Sequence, residues 1–191
     1  METLLTSTLA IFLAEIGDKT QLLTLLLIGR FRAPLPILAG MLVATLLNHG
    51  LAGSLGVWLF EQLALWLSPS WRDGLVTAGL LAMALWLLVP DTLEEDSQSL
   101  GGSRAFWVTL GAFFLAEMGD KTQVATLVLA ADAVQWGWVL VGSTLGLMLA
   151  NLPVVLAGPG LLARLPLRAL RLASALLFSA MALWPWLSPS S

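Results

Sequence analysis

Two short stretches hold most of the chemistry that this 191-residue chain could perform. Residues 12–21 read FLAEIGDKTQ and residues 114–123 read FLAEMGDKTQ, and Thr24 is matched by Thr126 at the same offset. Each stretch supplies two carboxylates and an ammonium group: Glu15, Asp18 and Lys19 in the first, Glu117, Asp120 and Lys121 in the second. At 100° per residue, each trio falls on one face of a helix. Both stretches lie in the middle of apolar runs long enough to cross a bilayer. A charge at that depth costs about 2.5–3.5 kcal/mol, so six unpaired ones would cost on the order of 15 kcal/mol. The two faces must therefore meet each other or a wet cavity.

Apposed across a pseudo-twofold axis, the two faces would gather four carboxylates and two ammonium groups. The two negative charges left over are what one divalent cation neutralises. Gly17 and Gly119 remove a side chain beside the acids, which allows a kink or a close approach of backbone carbonyls. Thr20, Gln21, Thr122 and Gln123 add neutral oxygens, although the glutamines point away from the Glu on an ideal helix and need a kink to take part. Such an all-oxygen set suits Ca²⁺, Mn²⁺ or Mg²⁺ rather than Zn²⁺ or Cu⁺. The expected metal-binding acids are Glu15, Asp18, Glu117 and Asp120. Asn48 and Asn151, buried amides one residue out of register in the repeat, could supply a ligand, hold a carboxylate or simply hydrogen-bond within the fold. For Lys19 and Lys121 two readings stand side by side. They are i,i+4 counter-ions to Glu15 and Glu117, or they snorkel away from the site. His49, the sole histidine, aligns with Asn151 in strict register and is a weaker candidate for handling protons.

The elements that must position these residues are helices. Six apolar segments have the roughly 20-residue length of a membrane span, or slightly less: Leu4–Ile28, Pro36–Phe60, Leu75–Val89, Phe106–Ala131, Trp138–Leu162 and Leu170–Leu187. Pro, Ser and Arg punctuate the joints between them, and Trp66, Trp71, Trp107, Trp136 and Trp138 stand near segment ends as interfacial anchors do. The repeat extends past the acidic motifs. Gly40 and Ala44 match Gly142 and Gly146, pairs of small residues suited to close helix packing. Ala82–Trp86 reads AMALW, as does Ala180–Trp184.

The expected fold is therefore an all-α integral membrane protein of six transmembrane helices in two inverted three-helix repeats. Residues 1–90 form the first, 104–191 the second, and 91–103 an acidic cytoplasmic linker. An odd number of helices per half makes the second half enter from the opposite side. Arg30, Arg32, Arg104, Arg164, Arg168 and Arg171 then share one side, with only Arg72 on the other, so the positive-inside rule places both termini outside. Inverted repeats of this kind bind substrate near the midplane where the halves meet.

Composition excludes much else. Hydrophobic residues make up 58% of the chain and charged ones 11%, against about 25% charged in soluble domains. Without cysteine there is no disulfide or thiolate chemistry. No basic patch suits nucleic acid. The N-terminus lacks a basic n-region, and Glu15, Asp18 and Lys19 interrupt its apolar run, so it reads as a first helix rather than a signal peptide. The expected partners are the cation and the lipid bilayer of a bacterial-type inner or an internal membrane, and homo-oligomerisation stays open.

The duplicated Glu-x-Gly-Asp-Lys-Thr motif resembles the signature of the transmembrane protein 165-like (Gdt-type) cation transporters. These include bacterial manganese exporters and Golgi manganese/calcium exchangers. The resemblance spans the whole chain: two three-helix halves, two intact motifs and an acidic central loop. It implies antiport of Mn²⁺ or Ca²⁺ against protons, with Glu15, Asp18, Glu117 and Asp120 holding the metal as substrate and with no cofactor. Dication and protons would compete for the same carboxylates in an alternating-access cycle, and the inward-facing acidic loop fits export from the cytoplasm. Two other readings use the same bundle: a divalent-cation channel or uniporter, and an exporter of a small organic solute. An enzyme is not expected, since an intramembrane aspartyl protease needs Gly-x-Gly-Asp and positions 15 and 117 are Glu.

Overall fold

The computed structural model describes residues 1–89, 105–131, 133–157 and 166–187. All regular structure among them is helical, in eight segments: α1 (Glu2–Glu15), α2 (Lys19–Phe31), α3 (Pro34–Ala64), α4 (Pro69–Leu87), α5 (Ala105–Glu117), α6 (Lys121–Ala131), α7 (Trp136–Ala157) and α8 (Leu167–Leu187). The expected linker, 91–103, lies outside the described residues.

The first and fourth expected helices are not continuous. Each breaks at its Glu-x-Gly-Asp motif, giving α1 and α2 in one case and α5 and α6 in the other. Gly17 has φ 80° and Gly119 φ 74°, the left-handed region that a residue with a Cβ enters only under strain. The chain turns tightly there: the Asp18 N–H donates to the Glu15 carbonyl at 3.1 Å, and the Asp120 N–H to the Glu117 carbonyl at 3.0 Å. Single-face placement of each trio on an unbroken helix therefore gives way to a break with Glu ending one half-helix and Asp preceding the next.

Other boundaries differ less. α4 begins at Pro69, six residues before the expected start, because proline fits the first turn of a helix and Ser68 precedes it in an extended conformation. α3 similarly starts at Pro34 and runs on to Ala64. α7 is described to Ala157, so the expected end at Leu162 lies outside the described residues.

Packing pairs segments from the two halves: α1 lies against α7, α3 against α5 and α6, and α4 against α8. Small residues permit the close approaches. A Cβ on Gly40 would come within 2.7 Å of the Phe106 carbonyl of α5, and one on Gly146 within 2.6 Å of the Thr8 carbonyl of α1. The AMALW repeats meet in the core, where Met83 and Ala84 of α4 and Ala182 of α8 share a cluster with Ile11 and Phe178.

The polarity of the molecule is inverted relative to a soluble domain. Leu5, Leu26, Leu176, Trp66 and Trp71 lie mainly on the surface, while Glu15, Asp18, Gln21, Asn48, His49, Glu117, Asp120 and Asn151 are buried. An outside this apolar is suited to lipid. Among the described residues, three helices are long and apolar enough to cross a membrane: α3, α7 and α8, of 31, 22 and 21 residues with mean hydropathies of 1.6, 2.0 and 1.4. α5 is apolar but shorter, because the break ends it. Arg72 and Asp73 near its start make α4 more polar.

Candidate functional site

The two breaks share the contacts made by their threonines, glutamines and glycines. The Thr20 hydroxyl donates to Glu15 Oε1, and the Thr122 hydroxyl to Glu117 Oε2 at 2.8 Å. One turn on, Thr24 donates to the Thr20 carbonyl at 2.8 Å and Thr126 to the Thr122 carbonyl at 2.7 Å. Each glutamine folds back over its own break: Gln21 Oε1 accepts the Gly17 N–H at 2.8 Å, and Gln123 Oε1 accepts the Gly119 N–H at 2.6 Å. At each break the glutamine carbonyl oxygen serves the opened backbone.

Half-helix polarity favours charge at these places. The C-terminal carbonyls of α1 and α5 bring partial negative charge to the breaks, which favours a cation, and the N-termini of α2 and α6 favour the carboxylates of Asp18 and Asp120. Asp120 Oδ1 accepts the Lys121 N–H at 2.7 Å. Glu15 lies within electrostatic reach of Glu117, Asp18 and Asp120. Glu15 and Glu117 are fully buried, and Glu15 Oε2 and Glu117 Oε1 have no hydrogen-bond partner among the described residues. Two orphaned carboxylate oxygens in an interior are costly unless something polar or cationic joins them.

Convergence is less complete than the apposed-face expectation. Among the described residues, no three Asp, Glu, His or Cys side chains come close enough together to form a metal-ligand group. The acids sit as a Glu and an Asp at each of two neighbouring breaks.

The two asparagines hold the opposite halves' breaks. Asn151 on α7 donates to Glu15 Oε1 at 3.2 Å and accepts from Thr24 at 2.8 Å, while Gln21 donates to the Ala150 carbonyl at 2.8 Å. Asn48 on α3 donates to the Phe114 carbonyl at 3.1 Å and accepts from Gln123 at 3.4 Å. The register slip explains this difference. Residues 48 and 150 occupy equivalent positions, and each receives its glutamine, one through a side chain and the other through backbone. His49 is buried, and neither ring nitrogen has a hydrogen-bond partner among the described residues.

The lysines depart from the i,i+4 expectation. Lys19 pairs with Asp120 of the other half, Nζ to Oδ2 3.2 Å, instead of with Glu15. Lys121 donates from Nζ to the Val89 carbonyl at 3.0 Å, just beyond the end of α4. Sequence reasoning had no route to Val89, since nothing in the repeat distinguishes the two lysines.

An all-helical chain with an apolar exterior and duplicated acidic helix breaks at its centre defines a class, that of membrane proteins built for ion transport. The chain belongs to the GDT1 family of divalent cation/proton antiporters, whose sequence model matches residues 3–95 and 105–191. It is 47% identical over 184 residues to a Vibrio cholerae protein named "Putative manganese exporter", covering 96% of this chain and 90% of that one. It is 29% identical to GDT1-like protein 5 of Arabidopsis thaliana, over 93% of this chain and 92% of the relative. GDT1-like protein sll0615 of Synechocystis is 28% identical over 93% of each chain. No solved structure gives a significant match.

Proposed function

We propose that this protein exchanges a divalent cation, Mn²⁺ or Ca²⁺, for protons and exports the cation from the cytoplasm. The observation that carries the reading is the pair of matched helix breaks. Each sets a threonine-clamped, fully buried Glu beside an Asp, and each Glu keeps one oxygen without a hydrogen-bond partner among the described residues. A hard dication suits such oxygens, and protons are its natural competitors for them. Binding by all four acids draws the two breaks closer together, and the alternation of that closure between the two faces is the transport step. The name of the Vibrio cholerae relative supports manganese and export.

In this reading α1 with α2, and α5 with α6, each form one broken span. With α3, α4, α7 and α8 they make six spans in two inverted halves, 1–90 and 104–191, joined by a cytoplasmic linker, with both termini outside. The cross-half packing and the matched hydrogen bonds support it, since discontinuous helices facing each other at a repeat interface are the usual site of secondary transporters.

The test is metal uptake into proteoliposomes against a panel of Mn²⁺, Ca²⁺, Mg²⁺ and Zn²⁺. Saturable uptake of Mn²⁺ or Ca²⁺ driven by an imposed pH gradient is expected. Metal conduction without accompanying proton movement identifies a channel or uniporter instead.

A further inference from the structure

The two motif lysines, identical in sequence, are put to different uses, and the difference bears on how a cation is released. Asp120 is 3% exposed, and both its oxygens are engaged: Oδ1 accepts the Lys121 backbone N–H, and Oδ2 faces the Lys19 ammonium at 3.2 Å. The backbone contact is fixed by the break itself. A dication that takes Asp120 through Oδ2 must therefore displace Lys19.

Lys19 is placed to be displaced. Its side chain is 27% exposed, so its four-carbon stem has an outlet. It is also the first residue of α2, where the half-helix dipole repels a positive charge. The ion pair with Asp120 is what draws it inward. Lys121 is the opposite case, 3% exposed with its ammonium on the Val89 carbonyl. It ties the start of α6 to the end of α4.

We propose that Lys19 is a tethered counter-cation: its ammonium neutralises Asp120 between transport events, yields to the incoming dication, and returns to speed release. This rests on the proposed exchange of a dication at these acids. Lys19 is thus a positioning residue that sets the balance between affinity and turnover, whereas Lys121 is a structural tie.

The experiment compares the wild type, Lys19→Gln, Lys19→Arg and Lys121→Gln, each purified as the full chain in proteoliposomes and probed with Mn²⁺. Removing the competitor in Lys19→Gln should lower the KM for Mn²⁺ by about fivefold, the scale of one partly exposed ion pair, and should lower kcat as release slows. Lys19→Arg should restore both values towards wild type. Lys121→Gln should lose stability and rate without any gain in affinity. An unchanged or raised KM in a folded Lys19→Gln overturns the proposal, as does failure of the arginine to restore it while the wild type still transports. A wild type that neither binds nor moves Mn²⁺ or Ca²⁺ overturns the underlying exchange reading instead.

Discussion

The amide of Asn151 donates to Glu15 Oε1 at 3.2 Å, joining α7 of the second half to the last residue of α1 in the first. The same side chain accepts from Thr24, so a single amide locks a buried carboxylate and the half-helix beyond it. Replacing Asn151 with alanine leaves buried polar groups without a partner, a loss of about 1–3 kcal/mol. Lower thermal stability in detergent and weaker metal binding are expected together. Asn151→Asp, which sets a second carboxylate against Glu15, should be worse than alanine in the absence of metal and should recover when Mn²⁺ is added. Stability unchanged in both variants would show that the contact is incidental.

Neutralising the acids separates transport from folding. Glu15→Gln, Asp18→Asn, Glu117→Gln and Asp120→Asn should each cut metal flux by at least an order of magnitude while the protein still inserts, since losing a buried charge does not hinder placement in lipid. Flux assays on protein verified by size-exclusion profile provide the check. Wild-type flux from a correctly inserted Asp18→Asn/Asp120→Asn double variant is the outcome that removes these two residues from the site.

The two break glycines should tolerate substitution unequally. Both have positive φ, so alanine costs about 1–2 kcal/mol at either. At Gly17 a new Cβ would also stand 2.8 Å from Leu167 Cδ2 of α8, whereas at Gly119 none of the described residues lies within 4 Å. Gly17→Ala should therefore lower the melting temperature more than Gly119→Ala, and Gly119→Asn, a residue that accepts this conformation, should be milder still. Equal losses at the two positions would contradict the packing at α8.

Topology is testable because the chain lacks cysteine. A single cysteine at Ser97 should react with a membrane-impermeant maleimide only from the cytoplasmic side, and one at Ser190 only from outside. Labelling of both from the same side rules out an odd number of spans between them, and with it the inverted repeat.

The duplicated motif was fully legible because it is written twice, and mid-membrane charges are too costly to be incidental. The helical, apolar character of the chain was legible as well, from length and composition. The breaks were less so. Gly17 and Gly119 announced flexibility, but glycine is also common in continuous membrane helices. Only the positive φ, with the glutamine carbonyls folded onto the glycine N–H groups, turns the permission into a break. The lysine partners lay beyond reach for a different reason. Asp120 and Val89 are 101 and 32 positions away from Lys19 and Lys121, so helical spacing, which proposes neighbours only at three and four residues, cannot propose them. The Asn48/Asn151 slip made those two look inequivalent until backbone and side-chain oxygens were seen to serve the same glutamine role.

Competition between the dication and protons for the same carboxylates is the central claim, and metal binding measured as a function of pH tests it most directly. With purified protein in weakly buffered solution, adding Mn²⁺ should release protons, and the apparent Mn²⁺ affinity should fall steadily as the pH is lowered from about 8 to about 5.5. Glu15→Gln and Glu117→Gln should each reduce the number of protons released. An Mn²⁺ affinity that stays constant across that range, with no proton release on binding, would contradict proton-coupled exchange at these four acids.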